Sequence, residues 1–277
     1  MISYLSYMDE TGHADDPALH FAGMAGFVAP AGAWEVFEEQ WLDTLDKAGL
    51  KEPFHMKEFA HFKGQFEEWK ESERKRLLGR LIQIIKDTKA EPVGAIVSVD
   101  DFNTLTPVQQ SSFLDPYYHA FQRCTRGAIA SAIAENDPDE RVAMVYSYNR
   151  EFGTSSSSGV NMGGRAEQLW HAMKSSLDVG FRMGTYASTS PGELCPLQAA
   201  DLFAYELSKE FENSVKRPDD RMRWGLREIL TMVRFFLPRI VLIDRLTAWN
   251  YCGPSKRLIS EIKQGLKNSA NMTCYQR

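Results

Sequence analysis

The earliest residues that could do chemistry lie in the run Met-Asp-Glu-Thr-Gly at 8–12, which contains Asp9 and Glu10. β-Forming residues at 2–9 predict a strand, and its two-residue period places Asp9 on the same face as the apolar Leu5 and Tyr7. The glycine that follows lets the chain turn and leaves the carboxylate at the end of the sheet, where α/β folds usually bind ligands. The alternative is a turn aspartate that bonds its own backbone.

A second acidic candidate, Asp201, lies late in the chain, in a predicted helix that begins near Pro196. It projects about 40° from Leu197 on the helical wheel, at the border of an apolar stripe. Asp201 is too far into the helix to be an N-cap, and a carboxylate drawn into a close helix contact needs a cation or hydrogen-bond donors. A metal ion, Lys57 or an arginine would serve, and a structural salt bridge is the alternative.

A third run, Phe-His-Met-Lys-Glu-Phe at 54–59, concentrates His55, Lys57 and Glu58 among aromatic residues. On a helix or turn, His55 and Glu58 lie on one face at a spacing of i and i+3, so both could meet one centre. The alternative is an ordinary solvated helix start with His55 near the cap. Asn149 and Glu151 are weaker candidates, because they follow a predicted strand and precede a serine-rich loop.

The elements that must position these residues alternate along the chain. Strands are predicted at 2–9, 20–29, 93–100, 141–148 and 181–188. Helices are predicted at 34–45, 77–85, 115–135, 164–177, 196–213, 222–236 and 255–267. Two of these helices lie between the second and third strands. The order predicts an α/β fold with a mixed sheet covered by helices.

Composition excludes several classes of protein. With 43% hydrophobic and 25% charged residues, the 277-residue chain falls in the globular range, which excludes disordered and fibrous proteins. The sequence contains no phosphate loop, dinucleotide-binding motif, nucleophile elbow or zinc-protease helix. No apolar run reaches the roughly 18 residues that cross a bilayer, and the start lacks the pattern of a secretion signal. Four cysteines without a C-x-x-C pair argue against a zinc ribbon, so a cytoplasmic protein with no membrane partner is expected.

Charge is distributed unevenly along the chain. Residues 216–277 carry 13 Lys and Arg against 5 Asp and Glu, a net of +8, whereas the rest carry 19 and 32, a net of −13. A basic end on an acidic body predicts contact with the phosphates of DNA or RNA. The alternative is a solvated helical face, or a partner for an acidic surface of the same molecule.

The three motifs together resemble the domain-of-unknown-function family numbered 3800 (DUF3800). The similar residues are Asp-Glu-Thr-Gly at 9–12, His-Met-Lys-Glu at 55–58 and Leu-Gln-Ala-Ala-Asp at 197–201, and the resemblance covers most of residues 1–213. It implies a ribonuclease-H-like domain at 1–215 with a helical insertion at about 31–90. Residues 216–277 would then form a basic, helical C-terminal extension packed on that domain.

The resemblance also implies where the site lies. It places Asp9 and Asp201 next to each other, adds Glu58 or Glu10 as a further acid, and makes Gln198 of the late motif a weaker candidate. Such folds often carry an aspartate after the fourth strand, where this sequence has Asn149. Asn149 brings no charge to a hard cation, although Glu151 could substitute for the missing acid.

These features predict a metal-dependent nuclease, or a related phosphodiester-processing hydrolase. Mg²⁺ or Mn²⁺ would be held by Asp9, Glu58 and Asp201, with Glu10, His55 and Lys57 completing the catalytic set. The main alternative, favoured by Asn149, is a catalytically inactive ribonuclease-H-like module that binds nucleic acid or protein. A further alternative is an enzyme for a small phosphorylated or nucleotide substrate.

Overall fold

The computed structural model describes residues 2–12, 20–107, 110, 116–133, 140–147, 165–175, 180–216, 221–231 and 240–243. Within these residues a mixed sheet forms the centre of the molecule. Its strands are β1 (Ile2–Thr11), β2 (Phe21–Pro30), β3 (Glu91–Ser98), β4 (Arg141–Ser147), β5 (Met183–Thr189) and β6 (Ile240–Ile243). The spatial order is β5-β4-β1-β2-β3-β6, so β1 lies inside the sheet.

The strands differ in direction according to how the chain connects them. β2 is antiparallel to both of its neighbours, β1 and β3. The other pairs are parallel, namely β4 with β1, β5 with β4 and β6 with β3. A helical crossover between β4 and β5 returns the chain to the same end of the sheet, which makes the pair parallel. The carboxyl ends of β1, β4 and β5 therefore meet at one edge.

Helices cover the sheet, so the predicted α/β fold with a mixed sheet is confirmed. They are α1 (Ala33–Lys47), α2 (Met56–Ala60), α3 (Glu71–Thr88), α4 (Val99–Asn103), α5 (Pro116–Ile133), α6 (Arg165–Lys174), α7 (Cys195–Lys216) and α8 (Trp224–Leu230). The helices α1 to α3 lie between β2 and β3, where a helical insertion was predicted. No helix of the described residues is long and apolar enough to cross a membrane.

Two hydrophobic clusters cover the two faces of the sheet. Successive residues of β2 alternate between them, with Phe27 in one and Val28 in the other. The first cluster contains the apolar residues of α1, α3 and α7, and the second contains those of α5 and α6. Tyr7 belongs to the first cluster, so Asp9, two residues later on β1, lies on the face covered by α7.

The described part of 216–277 contains a strand as well as a helix, whereas the sequence predicted only helices there. α8 packs against α3 and α7, but Ile240–Ile243 forms β6, which pairs in parallel with β3. The backbone groups on the outer edge of β3 need partners, and the sequence Ile-Val-Leu-Ile has a high β-propensity. The division into a domain at 1–215 and an extension at 216–277 stays a prediction, because most of the extension lies outside the described residues.

Candidate functional site

A cleft of about 760 Å³ opens at the carboxyl ends of β1 and β4. Its walls are the face of α7, the segment at 52–61 and the turn at 191–192. All three motifs singled out in the sequence contribute to it. Its charged and titratable lining consists of six carboxyl groups, two lysines and two histidines, which are Asp9, Glu10, Glu52, Glu58, Asp201, Glu212, Lys57, Lys209, His55 and His61.

Asp9 stands on the floor of this cleft, at the end of β1. Its Oδ1 accepts a hydrogen bond from the amide of Glu10 at 2.9 Å, and its carboxylate also bonds the side chain of Ser147. The pairing of Met8 with Tyr146 places Ser147, the last residue of β4, beside Asp9. The local backbone bond expected of a turn aspartate is therefore present, but a bond from the neighbouring strand accompanies it.

Asp201 reaches the same place from α7. Only 15% of its side chain is exposed, and its Oδ2 accepts a hydrogen bond from the amide of Met56 at 2.7 Å. The Nδ1 of His55 lies 3.5 Å from the same oxygen. The donors beside this buried carboxylate are therefore a backbone amide and a histidine.

Two residues of α7, one turn apart, hold the segment at 54–56. The Oε1 of Gln198 accepts from the amide of Phe54 at 3.1 Å and from the indole of Trp41 at 2.9 Å, and Asp201 accepts from the amide of Met56. Residues 54 and 56 are bonded to the helix, and the side chain of His55 between them is 55% exposed.

Gln198 serves this positioning and is not among the residues that line the cleft. Its Nε2 donates to the carbonyl of Pro191 at 3.1 Å, and the residue is 3% exposed. The same side chain therefore ties the turn at 191–192 to α7. The contacts shown for Gln198 are structural, and its role as a weaker site candidate stays a prediction.

Both aspartates have raised pKa values. Burial, followed by repulsion from Asp201, raises the pKa of Asp9 to about 7, although the bonds from Ser147 and Glu10 lower it. Burial also raises the pKa of Asp201 to about 6, against the lowering effect of the Met56 amide. Near neutral pH this pair holds a proton or attracts a cation, because two adjacent desolvated carboxylates are costly when both are ionised.

Glu10 follows Asp9 in sequence but points to the other side of the sheet. Strand alternation directs it towards α5. There, burial and then the charge of Glu10 raise the pKa of Tyr117. Glu10 still lines the cleft at the edge of the sheet. The structure therefore does not place Glu10 and Asp9 on a common face.

Glu58 and Lys57 lie on α2, in the wall of the cleft. Lys57 is exposed, and the Oε2 of Glu58 lies 3.0 Å from the position that a Cβ on Gly64 would occupy. The carboxylate of Glu58 thus packs against the turn that follows α2. Across the described part of the chain, no three His, Cys, Asp or Glu side chains are grouped to hold a metal ion.

Several lining residues were missed from the sequence. Ser147 is detectable only once β4 is known to lie beside β1. Tyr205, Lys209 and Glu212 follow Asp201 at helical spacings of four, eight and eleven residues, which is a signal that the sequence does contain. Asn149 and Glu151 lie outside the described residues.

Comparison with known proteins adds no relative to this picture. No protein-family model matches the chain, and no curated protein matches it at a significant level. Functional inference therefore depends on the chemistry of the cleft.

Proposed function

We propose that the protein is a divalent-metal-dependent nuclease, or a related phosphodiester hydrolase, whose centre is Asp9 and Asp201. The observation that carries this proposal is the meeting of these two buried carboxyl groups, which come from opposite parts of the sequence. A desolvated acidic pair at the carboxyl end of a central strand has few structural explanations. Perturbed pKa values in a cleft are typical of functional sites.

A ribonuclease-H-like architecture within the DUF3800 family is part of the same proposal. The element order supports it, since three strands with a helical insertion are followed by helix, strand, helix, strand and helix. The contact between the motifs at 55–58 and 197–201 supports it as well. The hydrogen bond from the amide of Met56 to the carboxylate of Asp201 joins the two motifs directly.

The donor set at the centre suits Mg²⁺ or Mn²⁺. Asp9 and Asp201 offer oxygen ligands only, and Mg²⁺ commonly uses one or two carboxylates, with waters and substrate phosphates completing its shell. Such an ion, when bound, supplies an activated water and neutralises charge on a phosphodiester. Glu58 remains a proposed third ligand, although its carboxylate lies against Gly64.

The chain's own residues complete the chemistry. Asp201 orients His55, whose exposed ring can carry a proton between the cleft and solvent. Lys57 is exposed at the wall, where its ammonium can contact a phosphate. Because six carboxyl groups face only two lysines in the lining, a phosphodiester enters favourably only when that negative charge is neutralised.

The basic extension is proposed to hold DNA or RNA. Arg223 forms an ion pair with Glu206 at 2.7 Å. The phosphate contacts are therefore assigned to other basic residues of the extension. A full-length variant with Lys256, Arg257, Lys263 and Lys267 changed to Gln should bind nucleic acid more weakly and with a smaller salt dependence. Unchanged affinity would remove the extension from the proposal.

Hydrolysis of labelled oligonucleotides tests the proposed activity. Single-stranded and duplex DNA and RNA are incubated with Mg²⁺, Mn²⁺ or EDTA, and products are resolved on denaturing gels. We expect metal-dependent cleavage that is lost in Asp9→Asn and Asp201→Asn. The matched control is Asp43→Asn, an exposed aspartate on α1 outside the cleft, which should keep full activity.

Other outcomes separate the alternatives. Oligonucleotide binding without cleavage in any metal would favour the inactive binding module. Hydrolysis of a small phosphodiester such as bis(p-nitrophenyl) phosphate, without cleavage of oligonucleotides, would favour the small-substrate enzyme. That second candidate has structural support, because the cleft volume falls within the range of roughly 300–1,000 Å³ found for small-ligand pockets.

A further inference from the structure

A polar stripe on α7 extends the cleft outwards from Asp201. Tyr205, Lys209 and Glu212 follow Asp201 at helical spacing and line the same cleft, while the apolar side of α7 faces the sheet. At 1.5 Å per residue, the stripe from Asp201 to Glu212 is roughly 16 Å long. A ligand with one group at Asp201 can therefore continue along the helix.

An aromatic ring stands in the middle of this stripe, and polar side chains surround it. The ring of Tyr205 lies 6.4 Å from that of His61, nearly perpendicular to it, and the hydroxyl of Tyr205 is 3.5 Å from the Nε2 of His61. The guanidinium of Arg223 and the ammonium of Lys209 lie 6.0 and 5.7 Å from the ring centre. These contacts hold the ring in one orientation beside the cleft.

Lys209 provides a cation next to this ring. Its Nζ bonds both carboxylate oxygens of Glu212, at 2.9 and 3.0 Å, and its side chain is 32% exposed. A phosphate offers the same kind of anionic oxygen as Glu212, so the ammonium can exchange one acceptor for the other. The stripe thus combines a platform for a flat ring with a donor for a phosphate.

The dimensions of the cleft favour an unpaired strand. Its volume of about 760 Å³ and the low exposure of Asp201 leave room for a ligand of nucleotide size at the aspartates. Enzymes that bind a base in such a recess take single-stranded substrate or extrude a nucleotide from the duplex. Stacking on aromatic side chains and contact with a basic groove are the usual means of binding single strands.

We propose that Tyr205 and Lys209 form a subsite for an unpaired nucleotide of single-stranded DNA or RNA, next to the phosphodiester at Asp9 and Asp201. The inference rests on the proposed function and specifies its substrate class. Tyr205 stacks on the base, and Lys209 contacts the adjoining phosphate. His61 keeps the tyrosine ring in place through its contact with the hydroxyl.

Fluorescence anisotropy with short labelled oligonucleotides tests the subsite. Single-stranded DNA, single-stranded RNA and a duplex of the same sequence are titrated with the full-length protein in Ca²⁺. We expect the single strands to bind more tightly than the duplex, and the DNA and RNA arms to show which polymer is preferred. Tyr205→Leu should weaken single-strand binding about tenfold, the scale of one lost stacked base, whereas Tyr205→Phe should retain most of it.

Matched variants separate stacking from general damage. Phe181→Leu removes another exposed ring with a nearby arginine, at the opposite end of the parallel strands, and should leave binding unchanged. Lys209→Gln should weaken binding and reduce its salt dependence, whereas Lys47→Gln, on an α1 lysine that also pairs with an acid, should not. Thermal melting identifies any variant that is misfolded, and Lys209→Gln tests the subsite if Tyr205→Leu fails to fold.

Different experimental results would overturn the proposed subsite and the proposed nuclease activity. Equal binding of duplex and single strand, or full affinity in both Tyr205→Leu and Lys209→Gln, overturns the subsite even if Asp9→Asn abolishes cleavage. Absence of any oligonucleotide binding overturns it too. Single-strand binding that depends on Tyr205, without cleavage in any metal, leaves the subsite in place and overturns the nuclease.

Discussion

The helix α7 carries two acidic residues, Glu206 and Asp201, whose carboxylates have little exposure to solvent and different partners. Glu206 is 2% exposed and receives two bonds from Arg223, at 3.0 and 2.7 Å. Asp201, five residues earlier, has a backbone amide and a histidine as donors, and faces a second aspartate. The charge of Glu206 is therefore balanced by an arginine of the protein. The charge of Asp201 is left to be balanced by a proton or an added cation.

The difference shows how to separate structural from functional acids. On the helical wheel Asp201 lies about 40° from Leu197 and Glu206 about 180° from it, and neither position shows whether the carboxylate has a cationic partner. A buried carboxylate paired with arginine stabilises the packing of α7 against the segment at 221–223. A buried carboxylate paired with another carboxylate costs stability and therefore marks the candidate site.

The largest effect is expected when the structural pair is broken. Arg223→Ala leaves Glu206 buried without its cation, which should lower the free energy of unfolding by about 3 kcal/mol. The measurement is urea denaturation at neutral pH. Arg227→Ala is the matched control, because its exposed guanidinium lies 4.0 Å from Glu228 and should contribute about 1 kcal/mol or less.

Neutralising one member of the pair formed by Asp9 and Asp201 should instead raise the free energy of unfolding. The pKa of Asp9 rises from 3.8 to about 7 on folding, so the folded protein binds the extra proton between these values, and the free energy of unfolding falls as the pH rises through that window. At about 1.4 kcal/mol per pKa unit, the full rise would correspond to about 4 kcal/mol near pH 8. Asp9→Asn should stabilise the protein by roughly half of this, about 2 kcal/mol, because the substitution also weakens the hydrogen bonds that the carboxylate accepts from Ser147 and Glu10.

Denaturation at several pH values checks this prediction. Near pH 4 the gain from Asp9→Asn should largely disappear, because the wild-type carboxyl is then protonated in the folded state. Asp43→Asn, at an exposed position, should show no comparable pH dependence. A destabilised Asp9→Asn protein at high pH would contradict the repulsion between Asp9 and Asp201.

The hydrogen bond to the segment at 54–56 can be isolated from the charge of Asp201. Asp201→Ala leaves the amide of Met56 without its acceptor, whereas Asp201→Asn retains an oxygen at that position. The alanine variant should therefore be about 1–2 kcal/mol less stable than the asparagine variant. Equal stability in denaturant titrations would mean that Met56 does not depend on this bond.

A bound ion should produce the smallest of these changes in the free energy of unfolding. Mn²⁺ at roughly ten times its Kd should stabilise the wild type by about 1.4 kcal/mol, seen as an increase in Tm. Asp9→Asn and Asp201→Asn should lose the increase, and Asp43→Asn should keep it. An equal increase in all four proteins would place the ion elsewhere.

Residue type and spacing were enough to select residues that the fold brings to one cleft. Asp9 at a strand end, Asp201 within a helix and His55 between aromatics were each selected from the sequence, and all three line one cleft. The α/β class also followed from the alternation of strands and helices. These features are local, so a single sequence contains them.

Other features depended on neighbours that are distant in the sequence. Ser147 joins Asp9 because β4 pairs with β1, and Gln198 is a positioning residue because Phe54 and Trp41 meet it across the core. Glu10 was predicted as a further acid of the site, and the sheet places it on the face opposite to Asp9, towards Tyr117. The strand at Ile240–Ile243 depends on β3, because it pairs in parallel with the outer edge of that strand.

The sequence by itself determined which groups can ionise, which helix faces are apolar and where strands and helices alternate. Only the tertiary structure decided that Asp9 and Asp201 share one desolvated place while Glu206 receives an arginine. The physical reason is that the cost of a buried charge depends on the groups within a few ångströms of it, and long-range packing brings those groups together.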